Sequence, residues 1–457
     1  MRNTVGFPDV IATSSGLRTR MEVKEGIKLF FRLGTAIGTR FEGDFVLGHD
    51  TRPSSKPFVE ALASGLDSTG MSVTVCGVCP VFVVSYLVST RVADFGLMVT
   101  ASHNPPEWNG LKVFDATGVI VDENTISSLT AQAFQSDESP SLKRFDRAVE
   151  LQEAYVRGLR SEFGELGLKC DGVKVAIDPG NGASSMLSQT VLDMVGANVT
   201  MINSETDGTF RRVIDPRADT LSKLGEAVRS NKCDFGIGYD GDGDRAALSN
   251  ERGEIQREDM TLLASLRQLL KRVSSPFVVN HASSSAFADL SGATGRRLYL
   301  SKVGERNVVM RMRETGAVLG GEGSCGGVIY TKLAATRDGI LATVATASLI
   351  REAGAISDIL RPYSRYHQYR QNVPYDSASV SEDRVFSQLK SAFPDTECED
   401  WDGLKFRESD GWVLIRRSQT EPIIRVIAEA FSEDRAQSLA LKYAAALSRA
   451  VGSSRRD

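Results

Sequence analysis

The sequence predicts an α/β protein: three similar α/β repeat domains with mixed sheets, then a C-terminal α+β domain, around one central cleft. Three observations carry this expectation. Short apolar strands alternate with amphipathic helices through the first three quarters of the chain, the signature of layered α/β domains. A strand that opens into a polar or glycine-rich loop recurs three times, as FGLMVTASH (Phe95–His103), FGIGYDGDGDR (Phe235–Arg245) and AVLGGEGSCGG (Ala317–Gly327). After about residue 365 the pattern changes to consecutive strands followed by a long helix.

Taken in order, the first repeat runs from a strand ending at DTRPSS (Asp50–Ser55) to Phe95–His103. The second begins with VAIDPGNGASS (Val175–Ser185), and the third with VVNHASSS (Val278–Ser285). Ligands of open α/β sheets collect at the carboxyl ends of strands, so the three recurring loops are where chemistry is expected. The last stretch reads as a helix over 381–393, the strands GLKFRES, GWVLIRRS and IIRVIAEA, and a helix over 433–451. Boundaries fall in polar stretches, giving 1–145, 146–250, 251–365 and 366–457 as the domains of the serine loop, the metal loop, the sugar loop and a phosphate loop.

Composition narrows the function. The chain has 457 residues, enough for three or four domains at about 100–200 residues each. Its formal net charge of -4 is too balanced for a protein that binds by neutralising phosphates, so nucleic acid is not an expected partner. Six cysteines, at 76, 79, 170, 233, 325 and 398, are scattered rather than gathered into a disulfide framework, as in a reduced cytoplasmic protein. Cys76 and Cys79 form a lone CxxC where a strand meets a helix, with no second pair at zinc-site spacing. The start, MRNTVGFPDVIATSS, lacks an apolar signal core, and runs such as Val81–Val88 fall short of the roughly 18 residues of a membrane helix. The expected partner is therefore a small molecule, away from membranes, and the chain is expected to be a monomer or homodimer.

Four loops carry chemistry. DGDGDR (Asp240–Arg245) spaces three carboxylates by single glycines after a strand, a density of oxygen ligands that suits a hard divalent cation such as Mg2+. Without a cation such bunched carboxylates repel one another. TASHNPPEWNG (Thr100–Gly110) places Ser102 beside His103, and two prolines keep the loop from becoming helix. A hydroxyl held out there is a candidate nucleophile, or the carrier of a phosphoryl group that a metal coordinates. RRSQTEPIIR (Arg416–Arg425) combines guanidinium and hydroxyl groups suited to phosphate. In GGEGSCGG (Gly320–Gly327), Glu322 and Ser324 offer partners for sugar hydroxyls.

These loops, in this order, resemble the α-D-phosphohexomutase superfamily, whose active site takes one loop from each of four domains. The resemblance covers nearly the whole chain and is most specific in TASHNPPEWNGLKVF, DGDGDR and the RxSxTEPxxR frame of Arg416–Arg425. It implies that Ser102 carries a phosphoryl group and that Asp240, Asp242 and Asp244 bind magnesium together with it. It places His103 beside the nucleophile, Lys112 in the region of proton transfer, Arg245 against the reacting phosphate and Arg18, in SSGLRTR, as the N-terminal arginine. Lys302 and Gly304, in SKVGERN, match a substrate-facing loop; Glu322 and Ser324 match the pair that grips sugar hydroxyls. Arg416, Ser418, Thr420 and Arg425 frame the loop for the phosphate that is not reacting. The chain departs from the family pattern in three places. Gln419 stands where glycine is usual, SSGLRTR is a loosened GxRG motif, and GEGSCGG is a residue longer than common forms and nearest the archaeal-type phosphoglucosamine mutases.

The implied reaction moves phosphate between C1 and C6 of a hexose. Phosphoserine 102 donates its phosphoryl group, a hexose 1,6-bisphosphate forms and also serves as activator, and a base such as Lys112 or His103 handles the hydroxyl proton. Phosphoglucosamine mutase and phosphoglucomutase/phosphomannomutase activities both fit. Two other readings stay open: a metal-dependent sugar-phosphate phosphatase with water as acceptor, and a catalytically weak sugar-phosphate binding protein.

Overall fold

The computed structural model describes residues 10–148, 150–376, 380–418 and 422–453. The chain divides into two compact units. One carries the first three sheets, and the other carries the fourth sheet together with His281–Asp289.

The threefold recurrence of the sequence is a recurrence of topology. In each of the first three sheets an opening strand pairs in parallel with the second strand on one side and the third on the other, and the third pairs antiparallel with a fourth. The opening strands are Asp44–His49, Lys174–Asp178 and Phe277–Asn280. The third-to-fourth pairs are Phe95–Val99 with Asn109–Phe114, Phe235–Tyr239 with Ala246–Ser249, and Leu319–Gly321 with Val328–Tyr330. The connection between third and fourth strands is therefore the same structural position in all three sheets. It holds Ser102 in the first, the three aspartates in the second and Glu322 in the third.

Additional strands complete the first and third sheets. Val10–Thr13 and Gly16–Thr19 form a hairpin on the first sheet, which brings Arg18 opposite Gly110. Ala334–Asp338 extends the third. The inner strands are buried along most of their length, as in FGIGY of Phe235–Tyr239, because helices cover both faces of such sheets. Helices Val23–Arg40 and Ser55–Ser68 pack through Leu29, Phe30, Phe58 and Leu62 in the first core.

The fourth sheet is antiparallel throughout, ordered His367–Pro374, Ile423–Ala430, Gly411–Arg417, Leu404–Glu408 and Cys398–Glu399. Helices Glu382–Ala392 and Glu433–Ser453 share a core with it through Val385, Ile415, Val426, Tyr443 and Leu447. The strand His367–Pro374 was not expected. Its sequence, HQYRQNVP, is mostly polar because it is an edge strand, paired only with Ile423–Ala430, and proline is tolerated at such an edge. Among the described residues no single helix is long and apolar enough to cross a membrane.

Candidate active site

The serine loop is fixed from behind. Ser102 takes a left-handed backbone, φ +51°, costly for a non-glycine residue and held by several partners. Its N–H donates to Thr100 Oγ1 at 2.8 Å, and that hydroxyl donates to Asp50 Oδ2 at 2.8 Å. Arg52 is buried beneath the loop. Its guanidinium donates to the carbonyls of Ser102 (2.9 Å), Asn104 (2.7 Å), Pro105 (2.5 Å) and Trp108 (2.9 Å), while Nε donates to Asp50 Oδ2 at 2.9 Å. Neither Asp50 nor Arg52 was singled out from sequence, although both lie in the DTRPSS segment that ends the opening strand.

With its backbone so placed, Ser102 Oγ donates to Asp240 Oδ2 at 2.7 Å and lies 3.4 Å from His103 Nδ1. Asp240, Asp242 and Asp244 are fully buried, and one oxygen from each can be chosen so that all three lie within 4.8 Å of one another. Burial pushes the Asp240 carboxyl well above its ordinary value, and repulsion from Asp242 and Asp244 adds to the rise. For Asp244 burial acts in the same direction, but Arg337, Lys112 and Arg245 outweigh it and hold this carboxyl below the usual range.

Lys112, on Asn109–Phe114, places Nζ 2.8 Å from both Asp242 Oδ2 and Asp244 Oδ2. Burial alone would lower its ammonium, yet the two aspartates hold it above its ordinary value. His103 behaves oppositely. Burial, then Arg245 and Arg18, lower it to about 2, so its ring is neutral at pH 7. Arg245 donates its N–H to Asp240 Oδ1 at 3.1 Å and its NH1 to Asp215 Oδ1 at 3.1 Å. The half-buried Arg18 donates NH1 to the Leu17 carbonyl at 2.9 Å.

The residues fit a hard cation. Lys112 pairs with Asp242 Oδ2, but among the described residues the buried Asp242 Oδ1 and Asp244 Oδ1 accept no hydrogen bond. Uncompensated buried carboxylate oxygens are costly, and a divalent ion is the ligand that such an all-oxygen set suits.

The sugar loop joins this cluster from the third sheet. Glu322 Oε1 accepts from the Gly304 N–H at 2.8 Å and from Asn280 Nδ2 at 3.0 Å, and Oε2 accepts from Arg337 NH1 at 2.9 Å. Ser324 is half-buried, with Oγ 3.5 Å from Cys325 Sγ, and Lys302 is exposed beside Gly304. Sequence reading missed Arg337 and Glu305. Arg337 NH2 donates to Asp244 Oδ2 at 2.7 Å, and Nε lies 2.9 Å from Glu305 Oε2.

In the other unit, Arg416 and Arg425 face each other across adjacent strands, and Ser418 donates its N–H to the Ile423 carbonyl at 3.0 Å. Arg416 Nε donates to Asp402 Oδ1 at 2.9 Å. Gln419 and Thr420 lie outside the described residues.

Comparison with known proteins agrees with this arrangement. Models of phosphoglucomutase/phosphomannomutase α/β/α domains I, II and III match residues 10–140, 153–253 and 257–366, and the model of the C-terminal domain matches 380–446. The chain belongs to the phosphoglucomutase/phosphomannomutase family of the α-D-phosphohexomutase superfamily. It is an enzyme of the isomerase class, a phosphohexomutase. It is 31% identical over 437 residues to a probable phosphoglucosamine mutase of Pyrococcus abyssi, covering 93% of this chain and 95% of that one. It is 30% identical to a phosphoglucomutase/phosphomannomutase of Thermococcus kodakarensis, covering 89% and 91%. A solved phosphoglucomutase/phosphomannomutase family protein from Burkholderia thailandensis shares the fold, with TM-score 0.82 at 21% identity over 96% of this chain and 97% of that one.

Proposed function

We propose that the protein interconverts the 1- and 6-phosphates of a hexose through a phosphorylated Ser102, with glucosamine phosphate as the leading substrate and glucose or mannose phosphates next. The observation that carries this is Ser102 Oγ, fixed at a strained backbone and 2.7 Å from a buried carboxylate of an all-oxygen cluster. The similarity to a probable phosphoglucosamine mutase supports the order of substrates.

In the first half-reaction the bond between phosphorus and Ser102 Oγ breaks while the free hydroxyl oxygen of the sugar monophosphate bonds to that phosphorus, giving the 1,6-bisphosphate. The sugar then presents its other end, and the bond between its original phosphoryl group and the sugar oxygen breaks as that phosphorus bonds to Ser102 Oγ, which leaves the isomeric monophosphate and restores phosphoserine. Magnesium held by Asp240, Asp242, Asp244 and the phosphoserine would neutralise charge on the transferred group. His103, neutral and 3.4 Å from Oγ, relays the proton lost by the sugar hydroxyl to the departing Ser102 oxygen, and the relay reverses when the phosphoryl group returns. Lys112 keeps its proton and, with Arg245 and Arg18, supplies fixed positive charge. Glu322, Ser324, Gly304 and Lys302 are assigned to the sugar, and Arg416, Ser418, Thr420 and Arg425 to the phosphate that is not transferred. The four domains are assigned one loop each, and the reaction is placed in the cytoplasm.

The test is a panel of glucosamine, N-acetylglucosamine, glucose and mannose 6-phosphates, each with a trace of its 1,6-bisphosphate, followed for isomer and for inorganic phosphate. Isomer formation, fastest with glucosamine 6-phosphate, is expected. Inorganic phosphate without isomer would make the protein a phosphatase and end the mutase reading.

A further inference from the structure

We infer that Arg337 is a positioning residue that serves both ligands at once, its guanidinium setting the Asp244 carboxylate for the ion and the Glu322 carboxylate for the sugar. The inference deepens the mutase reading and rests on it. Arg337 sits on Ala334–Asp338 and is 7% exposed, yet it faces three carboxylates from three separate segments. NH2 donates to Asp244 Oδ2 at 2.7 Å, NH1 donates to Glu322 Oε2 at 2.9 Å, and Nε lies 2.9 Å from Glu305 Oε2. Glu305 also accepts from Thr336 Oγ1 at 2.7 Å and from the Arg337 N–H at 3.2 Å, so the stem of the fork is braced by its own strand.

The consequence for each carboxylate is specific. Arg337 and Lys112 both engage Asp244 Oδ2, which leaves the buried Oδ1 as the oxygen free for an ion. On Glu322, Oε1 accepts from Gly304 N–H and Asn280, while Oε2 accepts from Arg337. Oε2 is thereby aimed by Arg337 and keeps capacity for a sugar hydroxyl. A rigid planar fork can hold two carboxylates at fixed angles; the ammonium of a lysine can neutralise them but cannot fix both. The fork, beyond its charge, is what the two loops share.

Arg337→Lys separates geometry from charge, and Arg337→Met removes both. In a Ser102→Ala background, which stops turnover, calorimetry with magnesium chloride alone reads the ion, and glucosamine 6-phosphate at saturating magnesium reads the sugar. Arg337→Lys is expected to keep the wild-type thermal midpoint within a few degrees while both affinities fall about 10- to 100-fold, as for other partners of metal ligands. Arg337→Met should lose at least as much in both. With Ser102 restored, Arg337→Lys should raise KM as well as lower kcat. If lysine restores both affinities, if only one ligand is affected, or if both losses follow only the loss of folded protein, the inference is overturned. A wild type that isomerises sugar phosphates while Arg337→Lys binds both ligands normally removes this inference and leaves the mutase reading standing. A wild type that binds no sugar phosphate removes both.

Discussion

Gly326 offers a sharp test of whether the sugar loop must press against the metal loop. It sits at φ +76°, and a Cβ built on it would lie 1.8 Å from the Ala246 carbonyl oxygen, far inside any real contact. The Ala246 N–H meanwhile donates to the Cys325 carbonyl at 3.1 Å, so the two backbones are locked together where the substitution would act. Gly316 supplies the control: it has φ +68° with nothing within 4 Å of its Cβ position. Gly316→Ala should therefore cost only the left-handed conformation, about 1–2 kcal/mol. Gly326→Ala adds the displacement of a packed loop, about 1–3 kcal/mol more, for a total of about 2–5 kcal/mol. The relaxation must carry Glu322 and Ser324 away from Asp244 and Arg245. A misplacement of about 1 Å at a reacting centre lowers turnover on the order of 100-fold. Urea unfolding and isomerase kinetics on both variants measure these quantities. Equal stability losses with turnover near wild type in Gly326→Ala would refute the claim that the loops depend on this approach.

Four further outcomes follow from the site and the fourth sheet. Ser102→Ala should reduce isomerisation to background while stability changes by about 1 kcal/mol, the value of one hydrogen bond to Asp240; mass spectrometry of the wild type should find a phosphoryl group on Ser102. Chelation should stop turnover and magnesium restore it, and the thermal midpoint should climb with magnesium, reaching about 2.7 kcal/mol of stabilisation at a hundredfold excess over Kd; full activity in metal-free protein would contradict the assignment of the aspartates. Arg416→Ala should lose more than about tenfold in kcat/KM while Gln419→Gly stays within about tenfold, and the reverse order would mean that this loop does not hold phosphate. Burial lowers Lys405 from 10.5 to about 8, so between those values the unfolded chain binds more protons than the folded one and stability should rise with pH across that window, by on the order of 3 kcal/mol; urea midpoints should show the slope, and Lys405→Met should flatten it.

The motifs legible in the sequence are those whose chemistry is contiguous. DGDGDR, TASHNPPEWNG and GGEGSCGG each carry their functional groups within a few residues, and the repeat put them at the same connection of three sheets. What could not be read is the chemistry made by chain closure. Arg52 serves the serine loop from 50 residues away, and Arg337 reaches Asp244 from 93 residues away. Neither has a local signal: one stands between Thr51 and Pro53, the other between Thr336 and Asp338, outside the four loops whose composition points to chemistry. The edge strand His367–Pro374 escaped for another reason, since with one pairing neighbour it needs no apolar alternation.

The three aspartates show why closure matters to this site. Within DGDGDR the residues between the acids are glycines, which bring no counter-charge, and Arg245 turns its NH1 toward Asp215. Beyond Arg245, which also helps to hold Asp244 low, compensation of the metal loop comes from elsewhere in the chain: Lys112 from the first sheet and Arg337 from the third. Like charges packed in a low-dielectric interior destabilise the fold unless such partners are present, so Lys112 and Arg337 offset the repulsion within the metal loop. The same dependence makes the site responsive. A divalent ion delivered to Asp240, Asp242 and Asp244 would supply charge that Lys112 and Arg337 do not complete, because among the described residues Asp242 Oδ1 and Asp244 Oδ1 stay buried without a hydrogen bond.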